Sequence, residues 1–228
     1  MNKEEFFKTI HHKLIVSCQA LEDEPLHGAE IMAKMAQAAK EGGACAIRSN
    51  SAVDVAAIKK QTGLPVIGLV KRDYPDSEVF ITATLKEVKE LLEVGVDVIA
   101  LDATVRKRPN GENLKDLVTY IHEQSDTLVM ADIATVRDAE YAIECNVDMI
   151  GTTLSGYTDD SPKLNGPDFD LVRELCNQST IPVIAEGRVN TPEQAREMIK
   201  VGAWSVVVGS AITRPQLITK SFVEGLEK

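Results

Sequence analysis

The sequence predicts an α/β fold, a single (β/α)8 TIM barrel with a short N-terminal helix, spanning residues 1–228 as one domain. Three observations predict it. Eight short apolar runs alternate with helical segments along 228 residues, a length within the range of one such barrel. The runs are continuously apolar, which indicates strands buried on both faces of a parallel sheet. An internal repeat recurs about every fifty residues, which is the length of two βα units.

The elements follow in chain order from these patterns. The first ten or so residues predict a short helix, whose end carries a solvated His11-His12 pair. The predicted strands are 13–18, 44–49, 65–70, 97–102, 127–132, 148–153, 182–187 and 205–210. The segments between them have helical spacing of apolar residues, for example AEIMAKMAQAAKEGG, TLKEVKELLEVG, TVRDAEYAIECN and TPEQAREMIKVG.

The repeat separates even from odd strands. The segments AKEGGACAIRS, LEVGVDVIALD, IECNVDMIGTT and IKVGAWSVVVGS share a helix end, a Gly or Asn C-cap and a strand. Proline opens odd strands in TGLPVIGLVKRD and STIPVIAEGRVN. A two-unit period is expected because alternate strands supply alternate interior layers of such a barrel. An open doubly wound sheet would need a glycine-rich turn after its first strand, and SCQALEDEPLHG is not one.

Composition limits the partners and the compartment. The formal net charge of −10 argues against nucleic acid or an anionic membrane surface as a partner, since both favour a basic face. The N-terminus MNKEEFFKTI lacks an apolar targeting core, and no run approaches the length of a membrane span. A cytoplasmic protein is expected. The cysteines are widely spaced and read as reduced core thiols: Cys18, Cys45, Cys145 and Cys176.

Two glycine turns near the C-terminus predict a phosphate site. The strand IPVIAEG ends at Gly187-Arg188, and Thr191-Pro192 then reads as a helix start. The strand SVVVGSA ends at Gly209-Ser210, again ahead of helical sequence. Glycine allows a ligand close to the backbone, and the free N–H groups at the following helix favour an anion. We therefore expect a phosphorylated substrate, with Arg214 adding a charge from one turn into the last helix.

Polar side chains at the ends of the other strands predict the rim of the site. They are Gln19, Arg48, Lys71, Asp102, Asp132, Thr152 and Glu186. Lys71 follows the apolar strand PVIGLV, where burial would lower its pKa and leave an amine able to take a proton or attack a carbonyl. The alternative is a lysine that extends to the rim and attracts an anion. Two long loops, 71–84 and 153–168, are candidates to cover the site.

Each of the other rim side chains has a structural alternative. Glu186 can accept a hydrogen bond from the substrate or exchange a proton with it, or it can form a salt bridge to Arg188 or Lys71. The guanidinium of Arg48 can hold a phosphate or carbonyl oxygen, or pair with Asp132 or another rim carboxylate. Asp102 is expected to cap the following turn.

Histidine is absent from the predicted strand ends. A metal-dependent pentose-phosphate epimerase needs His and Asp ligands at those positions, so its pattern is missing. A mechanism that uses lysine and carboxylate, with no metal and no cofactor, is therefore predicted.

At these residues the chain resembles the N-acetylmannosamine-6-phosphate 2-epimerases. The matching pieces run from the first strand to the last and thus cover nearly the whole chain. They are LIVSCQA with Gln19, AIRSN with Arg48, VIGLVKRDYPDS with Lys71, MADIAT with Asp132, GTTLSGYT, VIAEGRVNTPEQA with Glu186 and VVVGSAITRP with Arg214.

The resemblance implies an enzyme of bacterial sialic acid breakdown that interconverts N-acetylmannosamine 6-phosphate and N-acetylglucosamine 6-phosphate. It implies Lys71 as the acid/base at C2 and Glu186 as its partner on the substrate. It further implies that the sugar is held by Gln19, Arg48 and Asp132, and the phosphate by Arg214 with the turns at Gly187, Arg188, Gly209 and Ser210.

Three functions remain open from the residues themselves. The first is a proton-transfer epimerase. The second is a lyase or aldolase in which Lys71 forms a Schiff base with a phosphosugar. The third is a barrel that binds a phosphorylated metabolite without catalysis, for which the Lys, Glu and Arg rim would be superfluous. A homodimer also stays open, because a helical barrel exterior hides any interface signal.

Overall fold

The computed structural model describes residues 1–227 and confirms the predicted barrel. Eight parallel strands close in sequence order, and β8 pairs with β1. Each strand overlaps its predicted run. The strands are β1 Leu14–Cys18, β2 Ala46–Asn50, β3 Val66–Leu69, β4 Val98–Asp102, β5 Leu128–Asp132, β6 Met149–Gly151, β7 Val183–Glu186 and β8 Ser205–Val208.

Ten α-helices surround or close the barrel within residues 1–227. They are α1 Lys3–Ile10, α2 Ala29–Glu41, α3 Ala52–Thr62, α4 Leu85–Glu93, α5 Leu114–Gln124, α6 Val136–Glu144, α7 Phe169–Gln178, α8 Pro192–Lys200, α9 Ser210–Thr213 and α10 Pro215–Leu226. A short 3-10 turn covers Pro109–Gly111. None of the helices in this part of the chain combines the length and the apolar character that crossing a bilayer requires.

Side chains alternate between the barrel interior and the helix layer along each strand, because successive residues of a strand point to opposite faces. The interior is filled by Ile15, Ala46, Ile67, Val98, Ala100, Met130, Met149, Ile184 and Val207. Their strand neighbours pack outward against the helices, among them Val16, Ile47, Val66, Ile99, Val129, Ile150 and Val183. Both sets are almost fully buried, which explains the continuously apolar runs in the sequence.

The predicted N-terminal helix closes the bottom of the barrel. Phe6 and Ile10 of α1 are buried and pack with the interior cluster. The indole N–H of Trp204, just before β8, donates to the Phe7 carbonyl at 2.9 Å. His11 stacks on His12 at this end, at the opposite end from the carboxyl ends of the strands. The floor is thus sealed, and the open end of the barrel lies at the carboxyl ends of the strands.

The predicted helix boundaries have a clear local cause. Gly95, Asn146 and Gly202 follow the last turns of α4, α6 and α8 with positive φ angles of 63°, 66° and 117°. These are the Gly and Asn positions of the repeat, and the left-handed conformation there ends each helix. At the other end, Thr84 caps α4 and Thr191 caps α8 through their hydroxyl oxygens.

The two long loops both extend over the open end. Residues 71–84 fold into a hairpin, in which Lys71 pairs with Ile81 and the Arg72 N–H donates to the Phe80 carbonyl at 2.9 Å. Residues 153–168 are held by a hydrogen bond from Ser155 Oγ to Asp168 Oδ2 at 2.7 Å. Each loop is therefore folded by its own hydrogen bonds at the mouth of the barrel.

Candidate active site

A cavity of about 340 Å³ opens at the carboxyl ends of the strands, where this fold places its chemistry. Nine of the ten residues to which the family resemblance gives a role line it. The exception is Asp132, which is fully buried. The lining residues from the sequence prediction are Gln19, Arg48, Lys71, Glu186, Gly187, Arg188, Gly209, Ser210 and Arg214. The strand ends thus gather the predicted residues into one site.

Arg48 forms the base of the site through a buried ion pair. Its two terminal nitrogens contact Asp132, Nη1 to Oδ1 at 3.0 Å and Nη2 to Oδ2 at 2.5 Å. Only 1% of the Arg48 side-chain surface and none of the Asp132 surface is exposed. Pairing with Asp132, the structural alternative for Arg48, is present, and Arg48 also lines the cavity. Asp132 itself is fully buried, and the contacts of both residues with substrate stay predictions.

Glu186 shares the same guanidinium. Its Oε2 lies 3.2 Å from Arg48 Nη1 and 3.2 Å from Thr153 Oγ1, and the side chain is 12% exposed. The predicted salt bridges to Arg188 and Lys71 are not present. Burial raises the pKa of Glu186 to about 7, opposed by the positive charge of Arg48 and assisted by the negative charge of Asp132.

Lys71 reaches the cavity from the start of the hairpin. Its backbone N–H donates to Asn50 Oδ1 at 2.8 Å, which ties it to the end of β2. Burial, together with the positive charges of Arg48 and Arg214, lowers the pKa of Lys71 to about 8. At that pKa about one lysine in ten is neutral at pH 7, compared with about one in several thousand for an ordinary lysine. The desolvation expected from the apolar strand is therefore present.

Gln19 directly follows β1 and lines the cavity. Its Nε2 donates to Ser17 Oγ at 2.9 Å. Its carbonyl Oε1 is buried and has no hydrogen-bond partner within residues 1–227. A buried acceptor without a donor carries a free-energy cost, which a bound N–H or O–H group would relieve.

The two glycine turns meet at one end of the cavity. Gly187 has a φ of 111°, which a side chain would strain. At Gly209 an added Cβ would lie 3.3 Å from the Ser17 Cβ, so the backbone there lies close to β1. The N–H groups of residues 187, 188, 209 and 210 make no hydrogen bond within residues 1–227. Free N–H groups that converge in this way are suited to an anion.

The two arginines of the predicted phosphate site both make contacts within the protein. Arg214 lies at the break between α9 and α10, directly before the last helix and not one turn into it as predicted, because Pro215 starts the new helix. Its Nη2 lies 2.9 Å from Glu24 Oε2. Arg188 donates to the carbonyls of Ser155 and Gly166, so its guanidinium holds the 153–168 loop and its backbone faces the anion site.

Sequence reasoning missed several residues of the site. Ser17, Phe80, Thr153, Tyr157 and Asn190 all line the cavity. Thr153 stood at the end of the predicted sixth strand, and that position could have identified it. Asp102, expected to be a cap, accepts hydrogen bonds from the backbone N–H and the hydroxyl of Thr104 at 3.0 and 2.7 Å, which bears out the structural role.

Residues 1–227 contain no group of three or more His, Cys, Asp or Glu side chains placed to hold a metal ion. The charged groups of the cavity are therefore Lys71, Glu186 and the arginines.

Comparison with known proteins identifies the family. The family model described as "Putative N-acetylmannosamine-6-phosphate epimerase" matches residues 32–228. The chain belongs to this epimerase family. A relative from Clostridioides difficile strain 630, named "Putative N-acetylmannosamine-6-phosphate 2-epimerase", is 57% identical over 215 residues, which cover 94% of this chain and 96% of the relative. A relative of the same name from Enterobacter sp. strain 638 is 56% identical over 218 residues, covering 94% and 93%.

Solved structures agree with this assignment. A structure described as the N-acetylmannosamine-6-phosphate 2-epimerase from Clostridium perfringens superposes with a TM-score of 0.96 at 52% identity, covering 98% of this chain and 97% of the other. A FabK mutant from Thermotoga maritima superposes with a TM-score of 0.63 at 18% identity, covering 93% of this chain and 66% of that one. The second likeness concerns the fold alone.

Removing the charge of Arg48, which Asp132 and Glu186 share, should strongly destabilise the protein. Arg48→Met leaves two carboxyl groups buried without their partner, which should cost about 3–5 kcal/mol in the free energy of unfolding. The loss should be larger at pH 8 than at pH 5, because an unpaired buried carboxyl favours its protonated form. Urea denaturation at both pH values measures it.

Arg173→Met is the matched control. Arg173 forms an exposed ion pair with Asp170 on the surface of α7, so its loss should cost at most about 1 kcal/mol. Equal losses in the two variants would show that the buried pair contributes no more than a surface pair.

Proposed function

We propose that the protein is a cofactor-independent isomerase that interconverts N-acetyl-D-mannosamine 6-phosphate and N-acetyl-D-glucosamine 6-phosphate by removing and returning a proton at C2. The observation that carries the proposal is a lysine with a pKa of about 8 in a cavity that is also lined by the Gly187 and Gly209 turns and by Arg214. Family membership supports the same substrate pair, which belongs to amino-sugar and sialic acid catabolism.

The chemistry at C2 sets what the site must supply. Inverting a carbon that bears an N-acetyl group requires removal of a proton beside an aldehyde, which exists only in the open-chain sugar. A neutral amine at Lys71 can take that proton, and a positioned proton-transfer group of this kind accelerates a reaction about 10²–10⁴-fold. Glu186, with a pKa near neutrality, can exchange a proton with the substrate at working pH.

The remaining polar groups fit the rest of the sugar phosphate. The unpartnered Oε1 of Gln19 can accept a hydrogen bond from an amide N–H or a hydroxyl of the substrate. The free N–H groups of the Gly187 and Gly209 turns, with Arg214 beside them, can hold the 6-phosphate. Arg48 contributes through Glu186, which it orients.

The experiment that tests the function follows the C2 hydrogen. We expect N-acetylmannosamine 6-phosphate to acquire deuterium at C2 during turnover in heavy water, observed by NMR, with chelator present and no cofactor added. Lys71→Ala should reduce turnover about 10²–10⁴-fold, because the variant lacks the proton acceptor. Substrate affinity should change far less.

The control is Lys86→Ala, since Lys86 is exposed on α4 and should leave turnover unchanged. A covalent sugar adduct on Lys71, trapped by borohydride and seen by mass spectrometry, would instead support a Schiff-base lyase or aldolase. Dependence of activity on an added metal would contradict the cofactor-independent reaction.

The phosphate site can be tested apart from the chemistry. Arg214→Ala removes a charged donor, and a charge-assisted hydrogen bond contributes about 1.5–3 kcal/mol. Affinity for the 6-phosphate should therefore fall about ten- to a hundredfold, measured by calorimetry. Weak binding of the unphosphorylated sugar should not change. An equal loss for both sugars would assign Arg214 to the shape of the rim instead.

We also propose that the protein works as a homodimer in the cytoplasm. Helix α10 buries no residue, and Phe222, Val223 and Leu226 are 73%, 50% and 89% exposed. An apolar helix face of this kind is typical of an interface, and a second copy can cover it by two-fold pairing of the same helix. Four free cysteines, three of them buried, are typical of a reducing compartment.

Light scattering tests the dimer. We expect the wild type to have twice the mass of the chain, and Phe222→Asp to shift it towards the monomer because a charge would be buried at the interface. Lys200→Asp, on the exposed surface of α8, is the control. A monomeric wild type at micromolar concentration would refute the homodimer.

A further inference from the structure

The hydroxyl of Thr153 lies between two carboxyl groups. Its Oγ1 is 2.6 Å from Asp132 Oδ1 and 3.2 Å from Glu186 Oε2. A threonine hydroxyl has one hydrogen to donate. It can therefore satisfy only one of the two carboxyl groups as a donor.

Asp132 receives that hydrogen. The 2.6 Å separation is the length of a hydrogen bond from a hydroxyl to an ionised carboxylate. Both terminal nitrogens of Arg48 also donate to Asp132, so both of its carboxyl oxygens act as acceptors. The lone pairs of the Thr153 oxygen then face Glu186, and an ionised Glu186 would place two acceptors 3.2 Å apart with no hydrogen between them.

We propose that Thr153 is a positioning residue that holds Glu186 as a neutral carboxyl group, whose acid hydrogen on Oε2 is donated to Thr153 Oγ1. The same Oε2 stays 3.2 Å from Arg48 Nη1, at ion-pair distance, while the hydrogens of Nη1 point to Asp132 and Met130. The contact between Glu186 Oε2 and Thr153 Oγ1 then has a hydrogen in place.

Three charged groups face Glu186 and act in opposite directions. Arg48 on β2 and Lys71 after β3 favour the ionised form, whereas burial and Asp132 on β5 favour the neutral form. These influences partly cancel, so the direction of one hydroxyl after β6 is enough to bias the equilibrium. Thr153 is the group that supplies this direction.

The consequence for catalysis rests on the proposed function. An ionised Glu186 raises the pKa of Lys71, because a nearby negative charge stabilises the ammonium form. A neutral Glu186 removes that effect and leaves the amine free to accept the C2 proton. Thr153 therefore helps to keep Lys71 in its basic form without touching the reacting carbon.

The test is a titration of Glu186 itself, with no substrate present. The protein is labelled with glutamate carrying ¹³C at Cδ, and the Glu186 signal is identified by its absence in Glu186→Gln. In Thr153→Val the midpoint of the Glu186 titration should fall by about 0.5–1 pH units, because only the neutral form loses a hydrogen bond. Thr153→Ser keeps the hydroxyl and should keep the wild-type midpoint.

The sign of the change decides the outcome. A rise in the Thr153→Val variant would mean that the hydroxyl donates to an ionised Glu186, and an unchanged midpoint would mean that it has no influence; either overturns the proposal. If Thr153→Val does not fold, Thr153→Ala removes the same hydroxyl with a smaller side chain and carries the same expectation. Since no substrate is used, a failure of the proposed epimerase reaction leaves this result readable.

Discussion

The rest of the site depends on one imbalance of charge, a single buried guanidinium shared by two carboxyl groups. Arg48 contacts Asp132 with both terminal nitrogens and Glu186 with one. The three residues come from β2, β5 and β7, so their contacts join three separate strands. One cation cannot neutralise two anions, and an uncompensated buried charge is costly. The site therefore needs either a proton on Glu186 or a positive charge at Lys71. Burial is the main cause of the shifted pKa values of both groups, about 8 for Lys71 and about 7 for Glu186, and the charges of the cluster modify them.

The barrel makes room for this cluster by leaving out one side chain. Gly151 is paired in register with Asp132, and a Cβ at that position would overlap the methyl group of Met130 and lie 3.3 Å from Asp132 Oδ1. Met130 fills the space, and its sulfur lies 3.6 Å from Arg48 Nη1. The apolar layer thus supports the guanidinium from below, while the polar layer faces the cavity. Close packing of this kind holds a buried ion pair in one geometry.

The sequence was sufficient for features that depend on local or periodic causes. The eight strands, the N-terminal helix and the cap at Thr191 follow from apolar runs and a capping residue. The cavity residues followed from one rule of the fold, that strand ends meet at one face. The break at Arg214 also had a local signal, because Pro215 disfavours helix in the residue before it. Other features depend on residues that are far apart in sequence. They are the pairing of Arg48 with Asp132, the burial of Asp132 and the contacts of Arg188 with the 153–168 loop, and they follow only from the way the strands and loops are arranged in space.

The anion site and the base must also coexist, although a bound phosphate would act against a low pKa at Lys71. The positive charges of Arg48 and Arg214 help to lower that pKa, and a phosphate held beside Arg214 would offset part of its effect. Burial is the larger cause, and a ligand that fills the cavity increases burial because it excludes water. Lys71 can therefore remain neutral in the complex, although the phosphate offsets the positive charge of Arg214. Desolvation by the apolar third strand, the first feature that singled out Lys71 in the sequence, is the contribution that substrate binding does not remove.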